Sequence, residues 1–227
     1  MLSILKSDFP QEIIRTNRKK TVSFRFEGEK LIIHAPKFIT NIEINMMVLK
    51  RKKALLKLRD KSVANDQSKK SWQEGEEYEF CGKKYRLELS NEASKVLISE
   101  NKLLCPNKEK LEIKSLIEDW YKFEAKRILS KYSFDLAQKT SLMPKRIHIK
   151  SMTSRWGSCS SRGSVNLNRN LIKLAKPHIE YVIIHELCHL QELNHSKDFW
   201  KLVAKFCPSY KNSVAHLKKK SYLLKEF

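Results

Sequence analysis

Alternation of apolar and polar residues marks the first part of the chain. It runs through residues 21–35 on both sides of Gly28, and this alternation predicts a β-hairpin with its turn at the glycine. Over residues 41–59 apolar residues recur at helical spacing opposite a face rich in lysine and arginine, which predicts a basic amphipathic helix. Residues 60–70 are polar and lack periodicity, so we expect a flexible loop or linker there.

The middle of the chain predicts a sheet followed by a long helix. Residues 77–89 and 95–104 have strand patterns interrupted by turn residues, which indicates a small antiparallel sheet. From near Asn107 aromatic and aliphatic residues recur at helical spacing, and Pro144 is expected to stop this long, buried helix. Strand patterns return between residues 146 and 168, where a turn at 161–163 predicts a second hairpin.

The most apolar helix-length segment is residues 179–195, IEYVIIHELCHLQELNH, which follows Pro177. We expect this helix to end near Asn194, because asparagine tolerates the left-handed conformation that ends helices. Ser196 can cap a further helix over residues 197–206. A final helix is expected over residues 210–224.

The segment carries an H-E-x-x-H pattern that begins at His185. Residues four apart lie one above the other on a helix, so His185 and His189 can bind one metal ion. Glu186 then stands beside the metal, where the general base for a metal-bound water must be. His195 can turn back as a third ligand. Three protein ligands leave the fourth tetrahedral position of zinc open, so the sequence predicts a zinc hydrolase.

Four further side chains are candidates for supporting roles at this site. Arg155 could stabilise an oxyanion or bind a substrate carboxylate, and a structural ion pair explains it equally well. Asp198 is a candidate acceptor for the free N–H of a ligand imidazole, although a first-turn acid favoured by the helix dipole is also expected there. Tyr210 and His216 are candidate donors to the oxyanion.

The net charge of the chain indicates its possible binding partners, and its length and pattern indicate a division into domains. The 227 residues include 46 Lys and Arg against 25 Asp and Glu, a formal net charge of +21. This excess favours anionic partners such as nucleic acid, although a merely solvated basic surface accounts for it equally. No helix-turn-helix, zinc-finger or RNA-binding signature is present. We expect a basic, β-rich N-terminal portion over residues 1–106 and a catalytic core over residues 107–227, or one globular unit that combines them.

Cysteine usage and hydropathy predict the compartment. The five cysteines are widely spaced and form no C-x-x-C pair, which suits a reducing cytoplasm. Neither the start of the chain nor any later segment has an apolar run typical of a signal peptide or a membrane span. We therefore expect a cytoplasmic protein without membrane association, and the sequence does not predict its oligomeric state.

Motifs on both sides of the helix carry a family resemblance. The run Arg155-Trp156-Gly157-Ser158-Cys159 and then VNLN precede the helix, whereas NHS and Phe199-Trp200 follow it. In this order and spacing the chain resembles the YgjP-like zinc metallopeptidases, relatives of the WLM and SprT-type proteases, most densely over residues 145–217. The resemblance implies an α+β fold with a zincin-like helical metalloprotease core, a β-hairpin lining the cleft and a basic, β-rich N-terminal portion.

The resemblance also implies a function. Zinc would be held by His185, His189 and His195, with Glu186 as the catalytic acid and base of a metallopeptidase that hydrolyses peptide bonds with zinc-bound water. Three alternatives remain open: another metal-dependent hydrolase, a basic nucleic-acid-binding protein with structural zinc, and a protease acting on DNA-associated proteins. A structural site would have a fourth protein ligand and would give Glu186 no role.

Overall fold

The computed structural model describes residues 9–18, 20–67 and 70–225. Backbone contacts divide the chain into two compact units, Met1–Lys69 and Lys70–Phe227. The strands between residues 77 and 106, which the sequence analysis grouped with the N-terminal portion, belong to the second unit. Within the described ranges, three small sheets and six α-helices give the mixed α+β class that the sequence predicts.

A three-stranded sheet and two helices form the first unit. The strands are β1 (Gln11–Thr16), β2 (Ser23–Glu27) and β3 (Lys30–Pro36), in the order β1-β3-β2. The antiparallel pair β2 and β3 is the predicted hairpin, and the glycine at its turn has a positive φ of 59°. The helices α1 (Asn41–Lys50) and α2 (Lys52–Gln67) follow.

The helical region of this unit differs from the prediction in two ways. It breaks at Arg51, and it continues to Gln67, so the predicted loop is wrong over residues 60–67. Residues 68 and 69 lie outside the described part. The Ser62 hydroxyl donates a hydrogen bond of 3.1 Å to the carbonyl of Phe26. This contact with β2 stabilises a helical segment that the local composition does not favour.

A four-stranded sheet opens the second unit. Its strands are β4 (Glu77–Phe80), β5 (Lys83–Ser90), β6 (Leu97–Ser99) and β7 (Lys102–Pro106), in the order β4-β5-β7-β6. The prediction of a purely antiparallel sheet is wrong, because β5 and β7 pair in parallel. The short strand β6 reverses the chain between them and then pairs antiparallel with the outer side of β7.

The predicted long helix is α3 (Lys110–Thr140), and it packs against the helix that carries the H-E-x-x-H pattern. It ends before Pro144, at Ser141, whose φ of 59° is left-handed. The buried positions recur every three or four residues, so one face of α3 joins the core of the second unit. These positions include Ile113, Ile117, Tyr121, Ala125, Leu129 and Leu136.

A second three-stranded sheet lies before the H-E-x-x-H helix. Its strands are β8 (Arg146–Lys150), β9 (Gly157–Cys159) and β10 (Ser164–Asn168), in the order β8-β10-β9. The antiparallel pair β9 and β10 is the second predicted hairpin, and Gly163 at its turn has a φ of 80°. A 3-10 helix, Arg169–Lys173, then leads to the helices of the C-terminal part.

Three α-helices complete the fold: α4 (Lys176–Cys188), α5 (Lys197–Phe206) and α6 (Tyr210–Lys219). The prediction that α4 reaches Asn194 is wrong. The N–H groups of residues 190 and 191 bond to carbonyls three residues earlier, which tightens the turn and ends the helix. Ser196 caps α5 as predicted. The final helix stops at Lys219, and a 3-10 turn over residues 221–225 replaces its predicted end.

Asn168 fixes the segment that leads into β9. Its side chain is fully buried, and its Nδ2 donates to the carbonyls of Met152 at 2.6 Å and Arg155 at 3.1 Å. Its Oδ1 accepts from the buried N–H of Asn170 at 3.0 Å. We expect Asn168→Ala to lower the free energy of unfolding by about 2–4 kcal/mol, because buried partners lose their hydrogen bonds.

Urea unfolding measures this effect, with Asn166→Ala as the matched control. Asn166 is only partly buried, and its Nδ2 donates one hydrogen bond, to the Ser158 hydroxyl. The control should lose about 1 kcal/mol. Equal losses in the two variants would show that Asn168 has no special part in holding the segment.

Candidate metal centre

The structure brings three histidines together at the C-terminal end of α4. His185 and His189 lie one helical turn apart, and the turn after α4 returns the chain so that His195 faces them. One nitrogen from each ring lies within 4.8 Å of the others. The Nε2 atoms of His185 and His195 are 3.1 Å apart. Within the described residues, this is the one group of three or more His, Cys, Asp or Glu side chains that could hold a metal ion.

Hydrogen bonds orient two of these rings. The Nδ1 of His189 is 2.9 Å from the carbonyl oxygen of Glu192, and since a carbonyl only accepts, Nδ1 carries the proton. The Nδ1 of His185 faces the Tyr181 hydroxyl at 3.4 Å. Both contacts occupy Nδ1 and leave Nε2 for a metal. In a metal-binding imidazole one ring nitrogen usually binds the metal while the other makes a hydrogen bond.

Aromatic residues of α5 hold the three rings in place. Phe199 is fully buried, and its ring centroid is 5.0 Å from that of His185, 4.5 Å from that of His189 and 4.8 Å from that of His195. Trp200 stacks on His195 with the centroids 5.7 Å apart. The third histidine, although exposed, is therefore packed on two sides.

The surroundings of His185 and His195 also favour the neutral form of these two imidazoles, and neutral imidazole is the form that binds metal ions. Burial, with a further contribution from the other two histidines, lowers the pKa of His185 to about 3. Burial and the neighbouring His189 lower the pKa of His195 as well.

Glu186 lies beside the triad in a nearly closed environment. Only 5% of the residue is exposed, and burial raises the pKa of its carboxyl to about 8, against the opposing effect of the positive charge of Arg155. A Cβ atom added to Gly157 would lie 2.6 Å from the Glu186 Oε1 and 2.7 Å from its Cγ. The backbone of β9 therefore packs directly on the carboxylate, and glycine is required at this position.

The four side chains that were candidates for supporting roles make the following contacts. The Asp198 carboxylate accepts a hydrogen bond from Lys201 at 2.9 Å on the surface, which favours the alternative of a first-turn acid of α5. His216 stacks on His178 with a centroid distance of 3.9 Å. Tyr210 stacks on Trp200 with the ring centroids 5.2 Å apart, and Trp200 in turn stacks on His195. Arg155 is exposed on the segment before β9.

Three imidazole nitrogens in this arrangement fit zinc. Two nitrogens bound to one tetrahedral zinc at about 2.0–2.1 Å lie about 3.3 Å apart, close to the 3.1 Å between the Nε2 atoms of His185 and His195. Imidazole is a preferred ligand for zinc, and a set of three leaves one coordination position open. Such a site can do hydrolytic chemistry next to a buried carboxylate.

Comparison with known proteins defines the class: this is a metal-dependent peptidase. A family model described as the YgjP-like metallopeptidase domain matches residues 20–220. The chain therefore belongs to the YgjP-like metallopeptidase family, as the motifs predict, and membership implies a divalent metal ion and a peptide or protein substrate.

Solved structures and curated proteins give two further comparisons. The crystal structure of the metallopeptidase zymogen of Pyrococcus abyssi abylysin is similar at a TM-score of 0.38, with 21% sequence identity over 40% of this chain and 93% of that chain. No match was found among curated proteins.

None of the helices in the described residues is long and apolar enough to cross a membrane. The cytoplasmic location and the nucleic-acid partner stay predictions.

Proposed function

We propose that this protein is a zinc-dependent peptidase with a zincin-like core. In this proposal His185, His189 and His195 hold the metal, and Glu186 is the general base and acid. The observation that carries the proposal is the convergence of three imidazole nitrogens within 4.8 Å next to a carboxyl that is only 5% exposed. A structural role for the metal would leave this buried carboxyl without a function.

The donor set supports zinc and a catalytic site. The group contains three imidazoles and no thiolate from the five cysteines, so one tetrahedral position is free of protein ligands. A bound Zn²⁺ would supply a Lewis acid that polarises the substrate carbonyl and acidifies water. The hydrogen bond from His189 to the Glu192 carbonyl and the packing of Phe199 would keep the ligands aligned without it.

Glu186 performs the proton transfers in this account. Its carboxylate takes a proton from the attacking water and later gives it to the leaving amine nitrogen. The direct packing of Gly157 on the carboxylate limits the positions that Oε1 can take. A base fixed in one orientation is effective because the proton must move over a hydrogen-bond distance in one direction.

Strand β9 offers a binding place for the substrate backbone. It lies at the edge of its sheet, pairs on one side with β10 and packs against α4. A peptide in extended conformation can add to such an edge through main-chain hydrogen bonds. We therefore propose that the hairpin of β9 and β10 lines the cleft and aligns the scissile bond with Glu186.

Metal removal tests the proposal. A chelator should abolish peptide cleavage, and one equivalent of Zn²⁺ should restore it whereas Mg²⁺ should not, because Mg²⁺ prefers oxygen ligands. Mass spectrometry of a digested peptide library measures the cuts. His189→Ala should lose both the zinc and the cuts, while His216→Ala, a histidine outside the triad, should keep both. Undiminished cleavage by the metal-free protein would overturn the proposal.

A further inference from the structure

Arg155 is a cation at the active site that the proposed reaction does not use. Its side chain is exposed, and its guanidinium has no hydrogen bond or ion pair with any residue in the part of the chain that the structure describes. The alternative of a structural ion pair, which the sequence left open, therefore finds no partner there. A guanidinium held near a catalytic site and left unpaired is available to a ligand.

The position of Arg155 is well defined by its backbone. The buried Asn168 side chain binds its carbonyl at 3.1 Å, and the Asn168 N–H binds the next carbonyl, of Trp156, at 2.8 Å. Two residues further on, Gly157 packs directly on Glu186. The backbone at Arg155 is thus held close to the segment that packs on the catalytic carboxylate.

We propose that Arg155 binds a carboxylate of the peptide substrate and makes cleavage selective for acidic sequences. The planar guanidinium suits this ligand, because it pairs with a carboxylate through two parallel hydrogen bonds. The carboxylate would belong to a residue near the cleaved bond, because Arg155 is two residues from Gly157, which packs on Glu186. The inference rests on the proposed peptidase function and specifies its substrate class.

Two sources of carboxylate fit this chemistry, an Asp or Glu side chain and a peptide C-terminus. One arm of the test compares peptides capped at both ends that carry Glu or Gln at each position around the cleaved bond. The other arm compares free-acid with amidated C-termini in peptides without acidic side chains. The wild-type enzyme should prefer the charged member of one arm by about 10- to 100-fold in kcat/KM, and that arm identifies the source.

Three variants assign the preference to the guanidinium. Arg155→Gln should abolish it, Arg155→Lys should retain part of it, and Arg155→Glu should reverse it toward basic peptides. Arg162→Gln is the matched control, because Arg162 is an exposed arginine on the turn of the β9–β10 hairpin, which follows Arg155 in the chain. Zinc content and thermal unfolding should match the wild type in all of them.

The outcomes separate this inference from the proposed function. If wild type and Arg155→Gln cleave with the same preference, or if Arg155→Gln slows charged and neutral peptides equally, the inference is wrong while the zinc peptidase stands. If the zinc-loaded wild type cuts no peptide at all, the proposed function fails first, and the inference falls with it.

Discussion

Glu186→Gln should lower kcat by about 10²- to 10⁴-fold while the protein keeps its zinc, because glutamine preserves the shape of the side chain but cannot accept the proton. Burial raises the pKa of Glu186 to about 8, so the neutral amide replaces a group that the fold already holds in a mostly apolar environment. We therefore expect no loss of thermal stability. Peptide turnover and metal analysis on the same zinc-loaded preparations measure both quantities.

The matched control for this variant is Glu180→Gln. Glu180 is on the same helix, less than two turns before Glu186, and pairs with Lys176 at 3.7 Å near the surface. Its replacement should leave kcat and zinc content unchanged. Full activity of Glu186→Gln would remove Glu186 from the mechanism, and loss of zinc would indicate that Glu186 is a ligand.

Gly157→Ala should lower kcat by about 100-fold, because the added methyl group displaces the catalytic carboxylate. The Cβ would lie 2.6 Å from the Glu186 Oε1 and 2.8 Å from its Cδ, so the carboxyl must move. A shift of about 1 Å at a catalytic group can cost two orders of magnitude in rate. The three histidines belong to other segments, and zinc binding should persist. Steady-state kinetics and zinc titration of the variant test this.

Gly75→Ala separates this effect from ordinary glycine strain. Gly75 has a φ of 81° and no atom within 4 Å of an added Cβ. Alanine there should lower the melting temperature through backbone strain and leave kcat unchanged. If Gly157→Ala also lowers only the melting temperature, the contact between β9 and Glu186 has no catalytic role.

Local sequence patterns predicted the elements that surround the site. Alternation identified the hairpins and helical periodicity identified α3, because these patterns follow directly from the backbone repeat. The capping residue Ser196 identified the start of α5. The H-E-x-x-H spacing places His185 and His189 on one face of any helix, whatever the rest of the fold. The family motifs around β9 predicted the membership that the family model shows.

Features that depend on distant contacts were not predictable in this way. The parallel pairing of β5 with β7 requires knowledge of where the chain returns after β6. The early end of α4 at Cys188 depends on a tight turn in which His189 donates to the Glu192 carbonyl. In the sequence Asn194 offered the stronger stop signal.

Several contacts at the site were missed for the same reason. The sequence patterns assigned Tyr181 no separate role, but its hydroxyl faces His185. A spacing of four residues on one helix could have indicated this pair. Phe199 was noted only as part of a family motif, and its contact with all three histidines was not predicted. The need for glycine at position 157 appears only when β9 is packed on α4.

Anomalous diffraction at the zinc absorption edge, on crystals of the zinc-loaded protein, tests the central claim most directly. The account predicts one strong peak at about 2.0–2.1 Å from the Nε2 atoms of His185, His189 and His195, with Glu186 outside the coordination sphere and no protein atom in the fourth position. A peak elsewhere, or a protein side chain such as that of Cys159 as fourth ligand, would contradict a catalytic zinc site.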